Sequence, residues 1–457
     1  MLTRANRHSA QTLQDAVALD GSAVDRDAII YVETGCPAIH VTRAAFAGAV
    51  KAHSHRLRRL GIKPNDLVVI AHTQNLESIF SFWGAIVAGA IPSMFPTLTE
   101  KLDPEIYMRG IAELVRLSDV KAVLTTDEFA PVLAKEVPCD VFGSGELEKR
   151  DNHADTIIEP LAPHPDEIAF LQHSSGTTGL QKGVALSHRS VLNQLANYGE
   201  AIGLDKDDVI VSWLPLYHDM GLIAGFILPL FQGVPLVLMS PFDWVQHPAV
   251  LFRAIHEHKG TLCWMPNFAY NHCARRIRRR DTEGLSVASM RMFINCSEPV
   301  HPDSHALFLE RFKDHGLREE MLSVSYAMAE NTFGVTQTTP GQAPKLDIIN
   351  RNILEESKLA QPVKPDHPNM EVKVSCGPPI VGTKIKVVDE MGDGQFERSV
   401  GELAVRSDCM LDGYYRRPDL KPFKRGWYLT GDIGYVAHGE VFVIGRSKDL
   451  IINAGKN

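Results

Sequence analysis

Through most of its length this chain alternates short apolar runs with amphipathic stretches of helical length. Asp66 to His72 (DLVVIAH) is an apolar run of strand length. Leu76 to Gly89 then sets Ile79, Phe80, Phe82, Trp83, Ile86 and Val87 at helical spacing. A further helical stretch near Arg109–Leu117 leads into a strand-like run, Lys121 to Thr125, and Ile168–Leu171, Val209–Trp213 and Leu236–Met239 continue the series. Apolar strands separated by helices predict parallel α/β architecture, because a strand buried on both faces needs helices on each side. The texture changes from Val372 to Val443. There EVKVS, TKIKVVD, GELAVRS and GEVFVIG alternate polar with apolar residues, Gly and Asp turns separate them, and no long helix intervenes. The expected fold class is therefore α/β: two parallel-rich α/β subdomains, about 1–165 and 166–371, followed by a small, barrel-like β subdomain, about 372–445. The polar, Pro-rich stretch 336–369 is expected to be an inserted loop.

Composition narrows the function classes. A chain of 457 residues exceeds one compact core, and 44% hydrophobic with 22% charged residues is an ordinary soluble balance. A net charge of -8, from 47 Lys+Arg against 55 Asp+Glu, argues against salt-driven nucleic-acid binding. The first residues, MLTRANRHSAQTLQDAVALD, carry no apolar segment of the secretory type, and the apolar stretch Gly221–Met239 is interrupted by Pro229, Gln232, Gly233 and Pro235, so no membrane span is expected. The seven cysteines form no C-x-x-C pair and read as buried thiols in a reducing compartment, the cytoplasm. Neither G-x-S-x-G nor H-E-x-x-H occurs, which disfavours a serine hydrolase and a zinc hydrolase.

The sharpest local feature is Gln172 to Gly183, QHSSGTTGLQKG, between the strand-like runs IAFL and VALS. Gly176, Gly179 and Gly183 let the backbone approach a ligand, Ser174, Ser175, Thr177 and Thr178 offer hydroxyl donors, and Lys182 adds the cation that polyphosphate needs. It is not a Walker A loop, because Gln181 stands five residues after Gly176 and Gly183 follows Lys182. Taken alone, such a stretch reads first as an ordinary Ser/Gly-rich turn between strands. Ser187 is a candidate N-cap for a helix starting at His188.

The pattern [ST]-[ST]-G-[ST]-[ST]-G-x-x-K-G resembles the phosphate-loop signature of the adenylate-forming superfamily of acyl-CoA synthetases, peptide-synthetase adenylation domains and luciferases. Further segments resemble that family's motifs in the family's order: WLPLYHDMGL at Trp213–Leu222, NCSEPV at Asn295–Val300, YAMAE at Tyr326–Glu330, YLTGDIG at Tyr428–Gly434 and GRSKD at Gly445–Asp449. Cys296 and Ser297 depart from the usual Gly-Ala, and Ala327 from the usual Gly. The resemblance implies that Lys182 and the loop hydroxyls hold ATP phosphates. It implies that Asn295, Cys296, Ser297 and Glu298 line the adenine, that Tyr326 stacks on it, and that Ala327, Met328 and Ala329 belong to the nucleotide site. Glu330 would bind Mg²⁺, Asp432 the ribose hydroxyls, and Arg446 the ribose or phosphates. Lys448 would be the hinge pivot. His218 would stand at the mouth of an acyl pocket with Asp219 and Met220, its wall including Trp264, Met265, Asn267 and Phe268. Large side chains at Trp264 and Met265 imply a shortened channel, although both equally suit core packing.

Within the superfamily, WLPLYHDMGLI, PNFAYNHCARRI, VSCGPP and the excursion near 336–369 are most similar to the fatty acyl-AMP ligase branch. The implied activity is ATP-dependent activation of a carboxylic acid to acyl-AMP, followed by transfer to the phosphopantetheine thiol of an acyl carrier protein. An acyl- or aryl-CoA synthetase and a catalytically silent nucleotide-binding homologue are the alternatives. The resemblance makes residues 1–445 an N-terminal adenylate-forming domain and 446–457 a hinge, so a C-terminal lid domain is expected beyond this chain. The basic run Arg275, Arg276, Arg278, Arg279, Arg280 reads first as a solvated helix end and second as a docking face for an acidic carrier protein.

Overall fold

A computed structural model of the protein describes residues 1–3, 9–18, 24–98, 103–149, 163–173 and 182–447. The chain forms two compact units. The first comprises Met1–Asn193, Ser212–Asp243 and Leu411–Leu420, and the second Gln194–Val211, Trp244–Met410 and Lys421–Asn457.

The first unit is built on a seven-stranded sheet in the order Gly413–Tyr414, Gly183–Ser187, Ile168–His173, Ile91–Met94, Leu67–Ile70, Val120–Thr125 and Asp140–Gly143. Its central strands pair in parallel, and only Gly183–Ser187 and Gly413–Tyr414 run antiparallel to their neighbours. All four residues of Leu67–Ile70 are buried, which is why this strand has no polar alternation. Asn75 caps helix Leu76–Ala88 by accepting from the Ser78 N–H, while the Ser78 hydroxyl closes the capping box. Gly89 ends that helix in the left-handed region at φ 78°. Ser187 accepts from the Ser190 N–H at 3.4 Å, at the start of helix His188–Ala201. Also in this unit, Asp27–Val32 pairs in parallel with Leu236–Met239 and antiparallel with Ile39–Thr42.

Helix Arg43–Arg59 packs closely on Leu76–Ala88. Phe46 meets Trp83 edge-on at 6.0 Å between centroids, and the approach is tightest at Gly84. A Cβ built on Gly84 would lie 2.5 Å from the His53 Cβ and 3.1 Å from backbone atoms of the same helix.

In the second unit Leu262–Met265, Met292–Asn295 and Leu322–Ala327 pair in parallel, and Gly334–Gln337 closes antiparallel on the last of them. Helices Ala249–His258, Asn267–Arg276 and Pro302–Phe312 supply an aromatic core in which Phe252, Tyr270, Phe293, Phe308 and Phe312 interlock. The stretch 336–369 holds a strand, Leu346–Asn350, and a helix, Arg351–Ser357. That strand pairs antiparallel with Met370–Val374. Beyond it comes the antiparallel sheet Thr383–Val388, Gly401–Ser407, Trp427–Ala437 and Phe423–Lys424, with Glu440–Arg446 paired to Trp427–Ala437. The seven cysteines are all free thiols, five of them buried. Among the described residues no helix is long and apolar enough to cross a membrane.

The Gly84 contact yields a test. Gly84→Ala should destabilise the protein by about 1–3 kcal/mol, because backbone rather than a flexible side-chain end opposes the new methyl group. A lowered denaturant midpoint at unchanged slope is the expected result, and an unchanged midpoint would contradict the packing described.

Candidate nucleotide and acyl site

The second unit brings three of the expected residues together from separate strands. Tyr326 ends the parallel strand Leu322–Ala327, while Asp432 and Arg446 stand directly opposite each other on two antiparallel strands. The Tyr326 hydroxyl donates to Asp432 Oδ2 at 2.5 Å, and Arg446 Nε lies 3.3 Å from Asp432 Oδ1. Burial, reinforced by the adjacent Asp432 charge, holds the Tyr326 phenol well above its ordinary pKa, so it remains a neutral donor. The Asp432 backbone is fixed as tightly as its side chain. Gly431 turns at φ 75°, its N–H donates to Glu402 Oε1 at 2.8 Å, and the Asp432 N–H donates to Thr430 Oγ1 at 3.0 Å. The resulting carboxylate, held by a phenol on one oxygen and a guanidinium on the other, suits a ligand carrying paired hydroxyls.

Glu330 sits on a short turn, Ala329–Asn331, whose neighbours are locked from several sides. The Asn331 amide donates to the Gly334 carbonyl at 2.8 Å and its oxygen accepts from Ser407 Oγ at 2.6 Å. The Thr332 hydroxyl donates to the Cys409 carbonyl at 2.7 Å. Thr332 adopts φ 62° and ψ -51°, an uncommon conformation for a β-branched residue, held here by its buried hydroxyl contact. Asn331, Thr332, Ser407 and Cys409 were invisible as site-shaping residues in the sequence, since nothing local marks a left-handed threonine. Among the described residues no group of three or more His, Cys, Asp or Glu gathers as a metal cluster. Mg²⁺ is ordinarily held by one or two carboxylates while phosphate oxygens and water complete its shell, and Glu330 is a donor of that type.

Asn295 is fully buried and serves as a joint. Its amide donates to Asn267 Oδ1 at 3.1 Å and to His305 Nε2 at 3.0 Å, and Asn267 in turn donates to Ser304 Oγ at 3.1 Å. The Glu298 carboxylate accepts from the Phe268 N–H at 2.9 Å, at the start of helix Asn267–Arg276. Cys296 donates its N–H to the Met265 carbonyl, and Ser297 follows at φ 70°. The Asn295 amide N–H group and one Glu298 oxygen are thus engaged with protein, while Glu298 itself stands exposed. Ala327 and Met328 continue from the Tyr326 strand, and the Met328 N–H donates to the Phe333 carbonyl.

Trp264 is buried in strand Leu262–Met265, and its indole N–H donates to the Tyr198 hydroxyl at 2.9 Å. Tyr198 donates to Gln337 Oε1 at 2.9 Å, and the Gln337 amide reaches Ser323 Oγ at 2.7 Å. Met265 and Asn267 are buried, whereas Phe268 is 46% exposed and meets Trp244 edge-on.

The first unit holds the remaining expected residues. Lys182 Nζ stands 5.1 Å from the Tyr414 ring centroid, just before strand Gly183–Ser187. Ser174, Ser175, Gly176, Thr177, Thr178 and Gly179 lie outside the described residues, as does Lys448. His173 precedes the loop as a fixed anchor, its Nε2 2.7 Å from Ser93 Oγ, and burial pushes its pKa down to about 4. His218 is at the surface of this unit beside the Tyr217 ring, and crowding by surrounding protein lowers its pKa. Asp219 Oδ1 accepts from the Met220 N–H at the head of Met220–Ile227, a π-helical segment of the kind that often borders functional sites.

Comparison with known proteins points the same way. The model of the AMP-binding enzyme family matches residues 16–415. A medium-chain-fatty-acid–acyl-carrier-protein ligase of Moorena producens is 31% identical over 422 residues, covering 86% of this chain and 69% of that protein. A 4-hydroxyphenylalkanoate adenylyltransferase of Mycobacterium tuberculosis is 30% identical, covering 86% of this chain and 66% of that protein. The chain therefore spans about two thirds of the length of these relatives. Among solved structures, a fatty acyl-adenylate ligase of L. pneumophila in complex with acyl adenylate and pyrophosphate superposes with a TM-score of 0.87 at 29% identity, covering 99% of this chain and 80% of that one.

The Asn295 network predicts a pH dependence. Burial depresses the His305 pKa to about 4 from its ordinary 6.5. Below pH 6.5 the unfolded chain takes up a proton that the native state refuses, so this site's stability contribution falls as the pH drops toward 4 and then levels, by roughly 3 kcal/mol in all. His305→Gln should flatten that acid limb in urea melts taken between pH 7 and 4. A limb of unaltered steepness would remove His305 as its source.

Proposed function

Because the chain belongs to the AMP-binding enzyme family, we propose that it activates a carboxylic acid of the fatty class with ATP, releasing pyrophosphate and forming an acyl-AMP for transfer to the phosphopantetheine thiol of an acyl carrier protein. The observation that carries this reading is the Tyr326–Asp432–Arg446 grouping, a fixed carboxylate suited to ribose hydroxyls beside a buried aromatic ring. The relatives' fatty-acid and adenylate chemistry supports the acid class. The carrier as acceptor rests on the Moorena producens relative, and free CoA is the competing acceptor. Free thiols throughout the chain favour a reducing compartment, the cytoplasm.

In the proposed step a carboxylate oxygen of the acid attacks the α-phosphorus of ATP. The P–O bond to the β-phosphate breaks in line, and its electron pair leaves with pyrophosphate. Such transfers depend on positioning and charge neutralisation more than on covalent help from the protein. Asp432 would accept from the ribose hydroxyls and Tyr326 would hold Asp432 in place while its ring flanks the base. Asn295, Cys296, Ser297 and Ala327 to Ala329 would shape the adenine slot largely through backbone. Lys182, with the hydroxyls of Ser174, Ser175, Thr177 and Thr178, would neutralise the β- and γ-phosphates, and Arg446 would approach the nucleotide from the far side of Asp432. Mg²⁺, when bound, supplies further charge neutralisation, and Glu330 would hold it. His218, Asp219 and Met220 would border the acid's entry.

Calorimetric titration with non-hydrolysable acyl-adenylate analogues of graded chain length tests the reading. The unaltered chain should bind, Asp432→Ala should weaken binding by roughly tenfold or more through loss of a charged hydrogen-bond acceptor, and Lys182→Ala should weaken ATP more than the adenylate. Failure of every adenylate analogue to bind would leave a silent homologue as the better reading. Free CoA consumed in place of a holo-carrier protein would reassign the acceptor.

Chain length is the second expectation. If Trp264 forms the pocket wall, its hydrogen bond to Tyr198 holds the indole across the channel and restricts the acid to shorter chains. Trp264→Gly should move the preferred analogue to longer chains, at a stability cost of about 3–5 kcal/mol. Trp264→Phe, which keeps most of the volume, should retain the original profile. An unchanged profile in a folded Trp264→Gly variant would make Trp264 core packing alone.

A further inference from the structure

The antiparallel sheet of the second unit has a face that the proposed chemistry does not use. Lys384 stands directly opposite Arg406, and Lys424 directly opposite Trp427, on strands that lie side by side. Trp427 forms the centre of this row. Lys386 Nζ is 4.8 Å from its ring centroid and the Arg406 guanidinium carbon 5.1 Å. Lys384, Arg406 and Lys424 are exposed, whereas Lys386 and Trp427 are half-buried.

Like charges set opposite each other across a sheet destabilise it, and surface strands ordinarily place unlike charges there. Three carboxylates from the same stretch of chain are engaged with other groups. Asp393 pairs with Arg425, Asp389 accepts from the Met391 and Asp393 N–H groups and from Gln395, and Glu402 accepts from the Gly431 N–H. The indole face offsets some of the repulsion through cation–π attraction. What remains is a row of four cations beside one half-buried aromatic ring: Lys386 and Arg406 lie over it, Lys384 stands opposite Arg406, and Lys424, opposite Trp427, donates to the Met391 carbonyl at 3.3 Å.

We propose that this face docks an acidic acyl carrier protein, with Trp427 as its central contact and Lys384, Lys386, Arg406 and Lys424 as its charged rim. An aromatic anchor inside a polar rim is the usual make-up of a protein docking centre. The patch is too small to track the backbone of a polynucleotide. The choice of a carrier rests on the acyl transfer proposed above. Strand Trp427–Ala437 also bears Asp432, five residues along and so at most roughly 17 Å from Trp427. A thiol on a flexible prosthetic arm can span such a distance from a protein held at Trp427.

The test titrates the 457-residue chain with a strongly acidic holo-acyl carrier protein and, separately, with a single-stranded DNA oligomer, each at low and high salt. The variants are Lys384→Glu/Lys386→Glu/Arg406→Glu and, as comparator, Arg275→Glu/Arg278→Glu. The triple variant should lose carrier affinity by about tenfold or more, the comparator should lose little, and high salt should weaken the unaltered chain toward the triple variant. Adenylate-analogue binding should be the same in all three, which certifies folding. An unchanged carrier affinity in the triple variant, an equal loss in the comparator, absence of carrier binding, or tighter binding of the oligomer than of the carrier would each overturn the proposal. Failure of adenylate binding in the unaltered chain would count against the proposed activity and leave the docking result to be judged separately.

Discussion

The hydrogen bond from Tyr326 to Asp432 ties the two halves of the second unit's chemistry into one object. It joins the end of strand Leu322–Ala327 to the middle of strand Trp427–Ala437, across 106 residues of sequence. A phenol hydroxyl buried without a partner would cost roughly 1–3 kcal/mol, and a carboxylate buried without one would cost more. Each group supplies what the other lacks, and Arg446 completes the charge balance on the far oxygen. The Gly431 turn and the Thr430 hydroxyl then hold the carboxylate to one direction.

The same logic recurs around Glu330. The turn that bears it is short and would be mobile if left alone. It is held by Asn331, which bonds both its own chain and Ser407, and by the Thr332 hydroxyl on the Cys409 carbonyl. The left-handed threonine costs backbone energy that the buried hydroxyl contact offsets. At the end of the neighbouring strand, the Asn295, Asn267 and His305 amide and imidazole groups make a buried polar joint that sets Asn295 against two helices. Polar groups buried in this way fix geometry because any displacement leaves one of them unsatisfied.

Much of the fold was legible in the chain. Helix Leu76–Ala88 and strands Leu67–Ile70, Val120–Thr125, Thr383–Val388 and Gly401–Ser407 fall where apolar periodicity puts them. Strand Trp427–Ala437 was not legible as one strand, since Gly431 and Gly434 break its propensity and only pairing on both sides keeps it extended. The strand and helix inside 336–369 were hidden by prolines and polar residues, and they form because Leu346–Asn350 finds Met370–Val374 as a partner. For the site, motif order pointed to Tyr326, Glu330, Asp432 and Arg446, yet it carried no sign that the Asn295 amide bonds to Asn267 and His305 or that Glu298 accepts from the Phe268 N–H.

What the sequence determined by itself is therefore local or cumulative: the α/β alternation, the change to short antiparallel strands, the ordered motifs and the net charge. Each depends on residues a few positions apart or on simple sums. What only the tertiary structure decided is which distant groups meet: Trp264 with Tyr198, Thr332 with Cys409, Tyr326 with Asp432, and Lys386 and Arg406 with Trp427. Those meetings follow from strand register and from the need of buried polar atoms for partners, and neither is written in the spacing of neighbouring residues.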